Sequence, residues 1–304
     1  MNPKIFDDFA RENQTKDLGV YGIHVYQEGK GSAEHRFRSN ERVHLFSGSK
    51  AFTSLAVGIA ADEGLLKLGD SILDYFPQYR DIAVPGAESI TITDLLQMRS
   101  GRGQPLFSTL EETHERKRDW AELYFSTPMT YPAGTTFFYD NGGTYMLSRI
   151  IEAVSGKTLR DYLMPRLFEP LDIFNPQWHT CPRGHSLGAI GLYLSTEEYS
   201  RLGILLLQKG RWGDKQIISQ QYLDRAENDI VSVRGFPDTE TQVGYGYQLW
   251  RCTLPNTVRA DGKYGQYSIV LRDYRAVVTV TAHNERCAFD ILRVVWSTIV
   301  PHLQ

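Results

Sequence analysis

In Ser47-Gly48-Ser49-Lys50 a hydroxyl and a primary amine stand three positions apart, just ahead of a long apolar run. If a helix begins at or just after Ser47, the two side chains share one face and come within reach of each other. A buried lysine can then take the serine proton. The helix N-terminus adds unpaired N–H groups and a partial positive charge, which favour the alkoxide and the tetrahedral oxyanion that follows. The same residues also have a plain structural use, because serine is a favoured N-cap. A Ser-x-x-Lys string arises about once by chance in a chain this long. Chemistry at Ser47 therefore depends on partners elsewhere in the sequence.

A serine nucleophile needs a proton acceptor, a group to protonate the leaving atom, and donors for the oxyanion. The segment from Pro132 to Gly143 ends in Tyr139-Asp140-Asn141-Gly142-Gly143, a loop able to present a phenol and an amide together before a helix. Tyr139 could shuttle the proton if neighbouring lysines lower its pKa, and Asn141 could hold a substrate carbonyl. Packing and turn formation are their competing uses. Further on, Asp261-Gly262-Lys263-Tyr264-Gly265-Gln266 opens an apolar strand. Its glycines permit close approach of backbone to a ligand, and an edge strand can offer a main-chain N–H to an oxyanion. The competing reading is a turn with a solvated lysine. Lys67-Leu68-Gly69 is read as a loop, and His44 as a strand residue and not a base.

Behind these residues stand the elements that must position them. Residues near 18–27 and 33–38 read as a hairpin around Glu28-Gly29-Lys30-Gly31. Ala51 to Ala61 is apolar nearly all round, which predicts a buried helix, with Gly64 as its C-cap. Helices are expected over Ile92–Met98, Thr144–Val154, Leu159–Phe168 and Thr196–Gln208, the last capped by Ser195 or Thr196 against Glu198. Strands return at Gln266–Leu271 and Ala276–Ala282, before an amphipathic helix from about Ala288 to Val300. The expected fold class is α/β (α+β): one antiparallel sheet built from both chain ends, flanked by N- and C-terminal helices, with a helical lobe inserted. Residues 1–71 and 240–304 would form the α/β lobe and 72–239 the helical one, with a cleft between them.

Composition narrows the function classes. The 304 residues are 41% hydrophobic and 23% charged with a formal net charge of -3, so neither disorder nor nucleic-acid nor anionic-membrane binding is favoured. Glu115-Arg116-Lys117-Arg118 reads as a solvated helix face. The N-terminus lacks a signal-peptide core, and no stretch reaches the roughly 18 apolar residues that a membrane span needs; a cytoplasmic location is expected. Cys181, Cys252 and Cys287 form no Cys-x-x-Cys, and the eight histidines show no ligand spacing, so no metal and no cofactor is expected.

Taken together, Ser47-Gly48-Ser49-Lys50, Tyr139-Asp140-Asn141 and Lys263-Tyr264-Gly265 resemble, in order and spacing, the Ser-x-x-Lys, Tyr-x-Asn and Lys-Thr-Gly elements of class C β-lactamases, penicillin-binding proteins and related serine esterases. Leu95–Gly101, Pro132-Ala133-Gly134, Gly191–Thr196 and Gly210-Arg211-Trp212 extend the resemblance over most of the chain from about residue 18. It implies a β-lactamase/transpeptidase-like fold and an acyl-enzyme on Ser47. Lys50 and Tyr139 would share proton transfer, and the Ser47 and Gln266 N–H groups would hold the oxyanion. Asn141, Lys263, Tyr264 and Gly265 would contact substrate. Tyr264 departs from the threonine or serine that would bind a β-lactam carboxylate, and no export signal is evident. The reading that follows is an esterase or amidase on small esters or amides, its acyl pocket formed by residues 101–118 and 231–242. The alternatives are a true β-lactamase or penicillin-binding D-peptidase, and a non-catalytic ligand sensor using the same cleft.

Overall fold

The computed structural model describes residues 1, 3–107 and 119–303. Its centre is a six-stranded antiparallel sheet in the order β2-β1-β11-β10-β9-β8. The strands are β1 (Val20–Gln27), β2 (Gly31–Arg36), β8 (Trp250–Arg251), β9 (Thr257–Gly262), β10 (Gln266–Leu271) and β11 (Ala276–Ala282). The two chain ends meet where β1 pairs with β11, Ile23 opposite Val280 and Val25 opposite Val278. The second strand of the hairpin starts two residues before the predicted position. Gly29 and Gly31 both take positive φ, which closes the turn tightly enough for Gly31 to pair with Gln27 at once.

Each face of the sheet is covered. The helices Asp7–Lys16 and Phe289–Thr298 lie on one face and bury Phe9, Ile291 and Val295 against Ile23, Val278 and Val280. The opposite face carries the helix Thr196–Leu207, capped by a reciprocal Ser195–Glu198 box as its sequence predicts. Gly203 makes that contact possible, because a Cβ there would meet Val277 Cγ1 at 2.5 Å and Ser268 Oγ at 2.6 Å. Beyond it runs the helix Ser49–Asp62, buried from Ser49 to Ala60. Each large apolar side chain buried there contributes roughly 1.5–3 kcal/mol. Gly64, in the left-handed region, ends it.

The helix expected from Thr144 begins earlier, at Asn141, because the Asp140 carboxylate caps Gly142 N and Gly143 N at 2.9 and 3.0 Å. Leu159–Phe168 is broken: after Leu163 comes a wider turn through Met164–Phe168, closed by Glu169 N donating to Met164 O, where Pro165 offers no N–H. Short strands also occur. β3 (Val43–His44), β4 (Gln177–Trp178) and β5 (Leu192–Leu194) form a small sheet, and β6 (Arg211–Trp212) pairs with β7 (Lys215–Gln216). Strands of two or three residues carry too little alternation to show in sequence. They matter here, because β3 pairs with β5 immediately before Ser47.

Candidate active site

Ser47 lies on a tight turn, Phe46–Gly48, between β3 and the Ser49–Asp62 helix. Leu45 N donates to Leu192 O at 2.9 Å, which fixes the entry to the turn. Phe46 sits in the left-handed region at φ 48°, a conformation that costs a non-glycine residue on the order of 1 kcal/mol. The end of β9 presses on the same turn: a Cβ on Gly262 would lie 2.1 Å from Leu45 O and 3.1 Å from Gly48 N. Gly48 is equally constrained, since a Cβ there would meet Tyr199 Oη at 2.7 Å.

Lys50 is 1% exposed, and its three donors are all engaged. Nζ donates to Ser47 Oγ at 3.0 Å, to Asn141 Oδ1 at 2.6 Å and to Ala189 O at 3.1 Å. Burial lowers its pKa to about 7, against the opposing pull of the Asp140 and Asp261 carboxylates. Near neutral pH a sizeable fraction of Lys50 is therefore an amine, whose lone pair can face the serine hydroxyl. Tyr139 is hydrogen-bonded to Ser47, and its ring lies 4.9 Å from Lys50 Nζ. Burial raises the phenol pKa, and the hydrogen bond to Ser47 only partly opposes that. The phenol thus stays protonated. The lysine that was to lower its pKa has itself lost much of its charge.

Asn141 opens a helix and donates from Nδ2 to Phe107 O at 3.1 Å. Its placement rests on Asp140, a buried carboxylate saturated by Leu106 N, Gly142 N and Gly143 N. Burial raises the Asp140 pKa against those three bonds. Beside Asn141 an apolar pocket is lined by Phe107, Trp120, Tyr145, Leu187, Ala189 and Ile190, with Phe107 stacked on Trp120 at 4.2 Å. Of the loop expected to form an acyl pocket, residues 101–107 supply Phe107. Residues 108–118, including the basic cluster at 115–118, lie outside the described residues. The other loop, 231–242, packs Val233 and Phe236 into the aromatic cluster that backs Tyr139.

Lys263 is exposed, with Nζ 4.6 Å from the centre of the Tyr264 ring. Tyr264 takes φ 67°, and its ring contacts Phe46 and His283. Gly265, also at positive φ, packs where a Cβ would strike Ile291. Gln266 pairs with Gly262 across the hairpin, and its side chain donates to Ala282 O. His44 accepts from Gly191 N at 2.9 Å, and burial followed by His179 lowers its pKa to about 4, so it stays neutral in its strand.

Sequence reasoning missed Asp261 and Arg259. Arg259 is fully buried and donates from Nε to Asp261 Oδ2 at 2.8 Å and from Nη1 to Glu240 O and Arg251 O. The signal was alternation: residues 259 and 261 share one face of a strand, so their opposite charges are neighbours. Among the described residues no helix is long and apolar enough to cross a membrane.

Known proteins agree with this architecture. The chain is 24% identical over 234 residues to the 6-aminohexanoate-dimer hydrolase of Paenarthrobacter ureafaciens, a match covering 71% of this chain and 59% of that one. It spans less than two thirds of the length of the curated relatives it matches first. The D-amino acid amidase of Ochrobactrum anthropi SV3 superposes with a TM-score of 0.77 at 16% identity, covering 99% of this chain and 100% of the amidase. A penicillin binding protein from Bacillus halodurans gives 0.74 at 18% identity, covering 98% and 99%. Likeness at such identities establishes the β-lactamase/transpeptidase-like fold. The family model described as Beta-lactamase matches residues 11–289, and the chain belongs to that family.

Proposed function

We propose that this chain is an acyl hydrolase for small amides or esters, with Ser47 as nucleophile. The observation that carries the reading is the 3.0 Å contact between Ser47 Oγ and a buried lysine whose pKa is near 7. Neutral Lys50 accepts the Ser47 proton as Oγ bonds to the substrate carbonyl carbon. The carbonyl electron pair moves onto oxygen, where the N–H groups of Ser47 and Gln266 are our candidate donors. Collapse expels the leaving group, which takes the Tyr139 proton while Lys50 returns one to the phenol. Because burial disfavours the phenolate, the two transfers proceed together and no phenolate accumulates. Water then attacks the acyl-enzyme by the reverse route.

Asn141 orients the acyl carbonyl, its Oδ1 held by Lys50 and its Nδ2 by Phe107 O. Ser47 and Gln266 come from the part formed by residues 1–71 and 240–304, Tyr139 and Asn141 from the inserted part 72–239, so the cleft lies between the two. Amide substrates gain support from relatives named as a 6-aminohexanoate-dimer hydrolase and a D-amino acid amidase. Intact-protein mass spectrometry with p-nitrophenyl butyrate and, separately, a penicillin tests the assignment. A butyryl adduct or p-nitrophenol release lost in Ser47→Ala is expected. Undiminished turnover in that variant refutes Ser47 as nucleophile, and a penicilloyl adduct as the sole covalent species would favour a β-lactamase or D-peptidase.

A further inference from the structure

A cavity of about 500 Å³ opens beside residues 230–234, a size within the usual range of small-molecule sites. Two guanidinium groups line it, those of Arg99 and Arg234, and no carboxylate does. Thr136 and Ser232 add hydroxyls, while Phe137 and Ile230 supply an apolar wall. Along the loop Val233 packs inward, and Ser232 and Arg234 on either side of it are exposed, the alternation of an extended chain. None of Ser47, Lys50, Tyr139 and Asn141 lines the cavity. Its wall is held in place, because Phe137 packs on Tyr245 and Trp250 at 5.4 and 6.2 Å, the same rings that back Tyr139.

Neither arginine has its charge well met. Arg234 makes no hydrogen bond or ion pair among the described residues. Arg99 Nη2 donates to Gln97 Oε1 and stands 4.0 Å from Asp94 Oδ1, the outer limit of an ion pair. Its Nε is buried with no hydrogen-bond partner among the described residues. A buried donor left unpaired is costly, and a ligand oxygen would satisfy it. The carboxylates close by are committed elsewhere. Asp94 accepts from Thr91 N and Oγ1 at 2.9 and 2.7 Å, and Asp229, next to Ile230, accepts from Arg225 Nε and Tyr247 Oη at 3.0 and 2.8 Å. Two arginines facing one hollow bring like charges together, which a bound anion offsets. The planar fork of each matches the oxygens of a carboxylate or a phosphate.

We propose that this cavity binds a small organic anion, a carboxylate or phosphate monoester with an apolar body, through Arg99 and Arg234, independently of any chemistry at Ser47. Calorimetric titration of the whole chain at low salt tests it, with phenyl phosphate, benzoate, inorganic phosphate and the uncharged benzamide as probes. One phenyl phosphate or benzoate should bind per chain, and more weakly as salt is added. The tighter of the two identifies the head group as phosphate or carboxylate, and either supports the site. Arg234→Met alters an exposed side chain, so its melting temperature without ligand should match wild type, while Kd should rise about tenfold, the scale of one charge-assisted hydrogen bond. Arg99→Met should raise Kd to a similar degree. No heat from either organic anion at millimolar concentration overturns the site. So does an affinity that Arg234→Met leaves unchanged, which places the anion elsewhere. Benzamide binding as tightly as benzoate overturns recognition of charge, and inorganic phosphate binding as tightly as phenyl phosphate overturns recognition of an apolar body.

Discussion

Replacing Asn141 by aspartate tests whether Lys50 is the base. The substitution is nearly isosteric and puts a carboxylate where Oδ1 now sits, 2.6 Å from Nζ. At that distance Coulomb's law gives about 1.6 kcal/mol even at the dielectric of water, and several times more at an effective constant of about 20. The lower figure already raises the lysine pKa by about one unit. In the wild type Lys50 loses its proton around pH 7, so kcat/KM for an activated ester should climb about tenfold per pH unit below 7 and level off above 8. In Asn141→Asp the added negative charge favours the ammonium. The acidic limb must then move upward by at least about one unit, and activity at pH 7 must fall at least severalfold and recover in alkali. Asn141→Ala supplies the contrast: it also loses the amide that orients substrate, but its limb should not move upward. The assay is a pH profile of p-nitrophenyl butyrate turnover from pH 5 to 10. An acidic limb that stays near 7 in Asn141→Asp would refute the view that the Lys50 proton controls the rate.

Other substitutions probe the supports of the same site. Asp261→Asn removes a carboxylate that raises the Lys50 pKa and leaves Arg259 only the more distant Glu240, so the acidic limb should shift to lower pH; an upward shift would contradict the electrostatics. The buried Lys50 has a folded-state pKa below its unfolded value, so folding is penalised fully below about pH 7 and the penalty fades as pH rises toward the unfolded value near 10.5. Thermal melts should therefore show Lys50→Met gaining most over wild type at pH 6, with the gap narrowing by pH 9. Gly262→Ala pushes a methyl into two backbone atoms of the Ser47 turn. It should lose about 1–3 kcal/mol of stability and most of the acylation rate, read by urea unfolding and adduct formation.

The parts of the fold that were legible share one property: long elements with a single period. Gln266–Leu271 and Ala276–Ala282 form strands over the predicted spans, and the run after Ser49 is a helix buried nearly all round. Ser195 caps Glu198 as the spacing implied. What escaped was decided by single side chains acting on backbone. The Asp140 carboxylate set the start of the Asn141 helix, Pro165 broke the one after it, and Gly29 and Gly31 fixed the hairpin register. Residues this specific leave no periodic trace.

The candidate site was legible as residue types and illegible as electrostatics. Spacing brought Lys50 to Ser47, and order along the chain named Tyr139 and Asn141. Nothing in the sequence says which of the lysine and the tyrosine can give up its proton near neutrality. That follows from burial, which acts on both but in opposite senses: it disfavours the ammonium and so makes Lys50 a better base, while it disfavours the phenolate and so keeps Tyr139 a donor. Under the proposed mechanism this burial would divide the two groups into acceptor and donor without a histidine. The carboxylates of Asp140 and Asp261 limit the separation by holding the lysine pKa up. Asp140 spends its own charge on three backbone N–H groups and Asp261 on Arg259, so neither is free to serve as a competing base. The proposed division of labour at Ser47 would therefore depend as much on where those two carboxylates are tied down as on Lys50 and Tyr139 themselves.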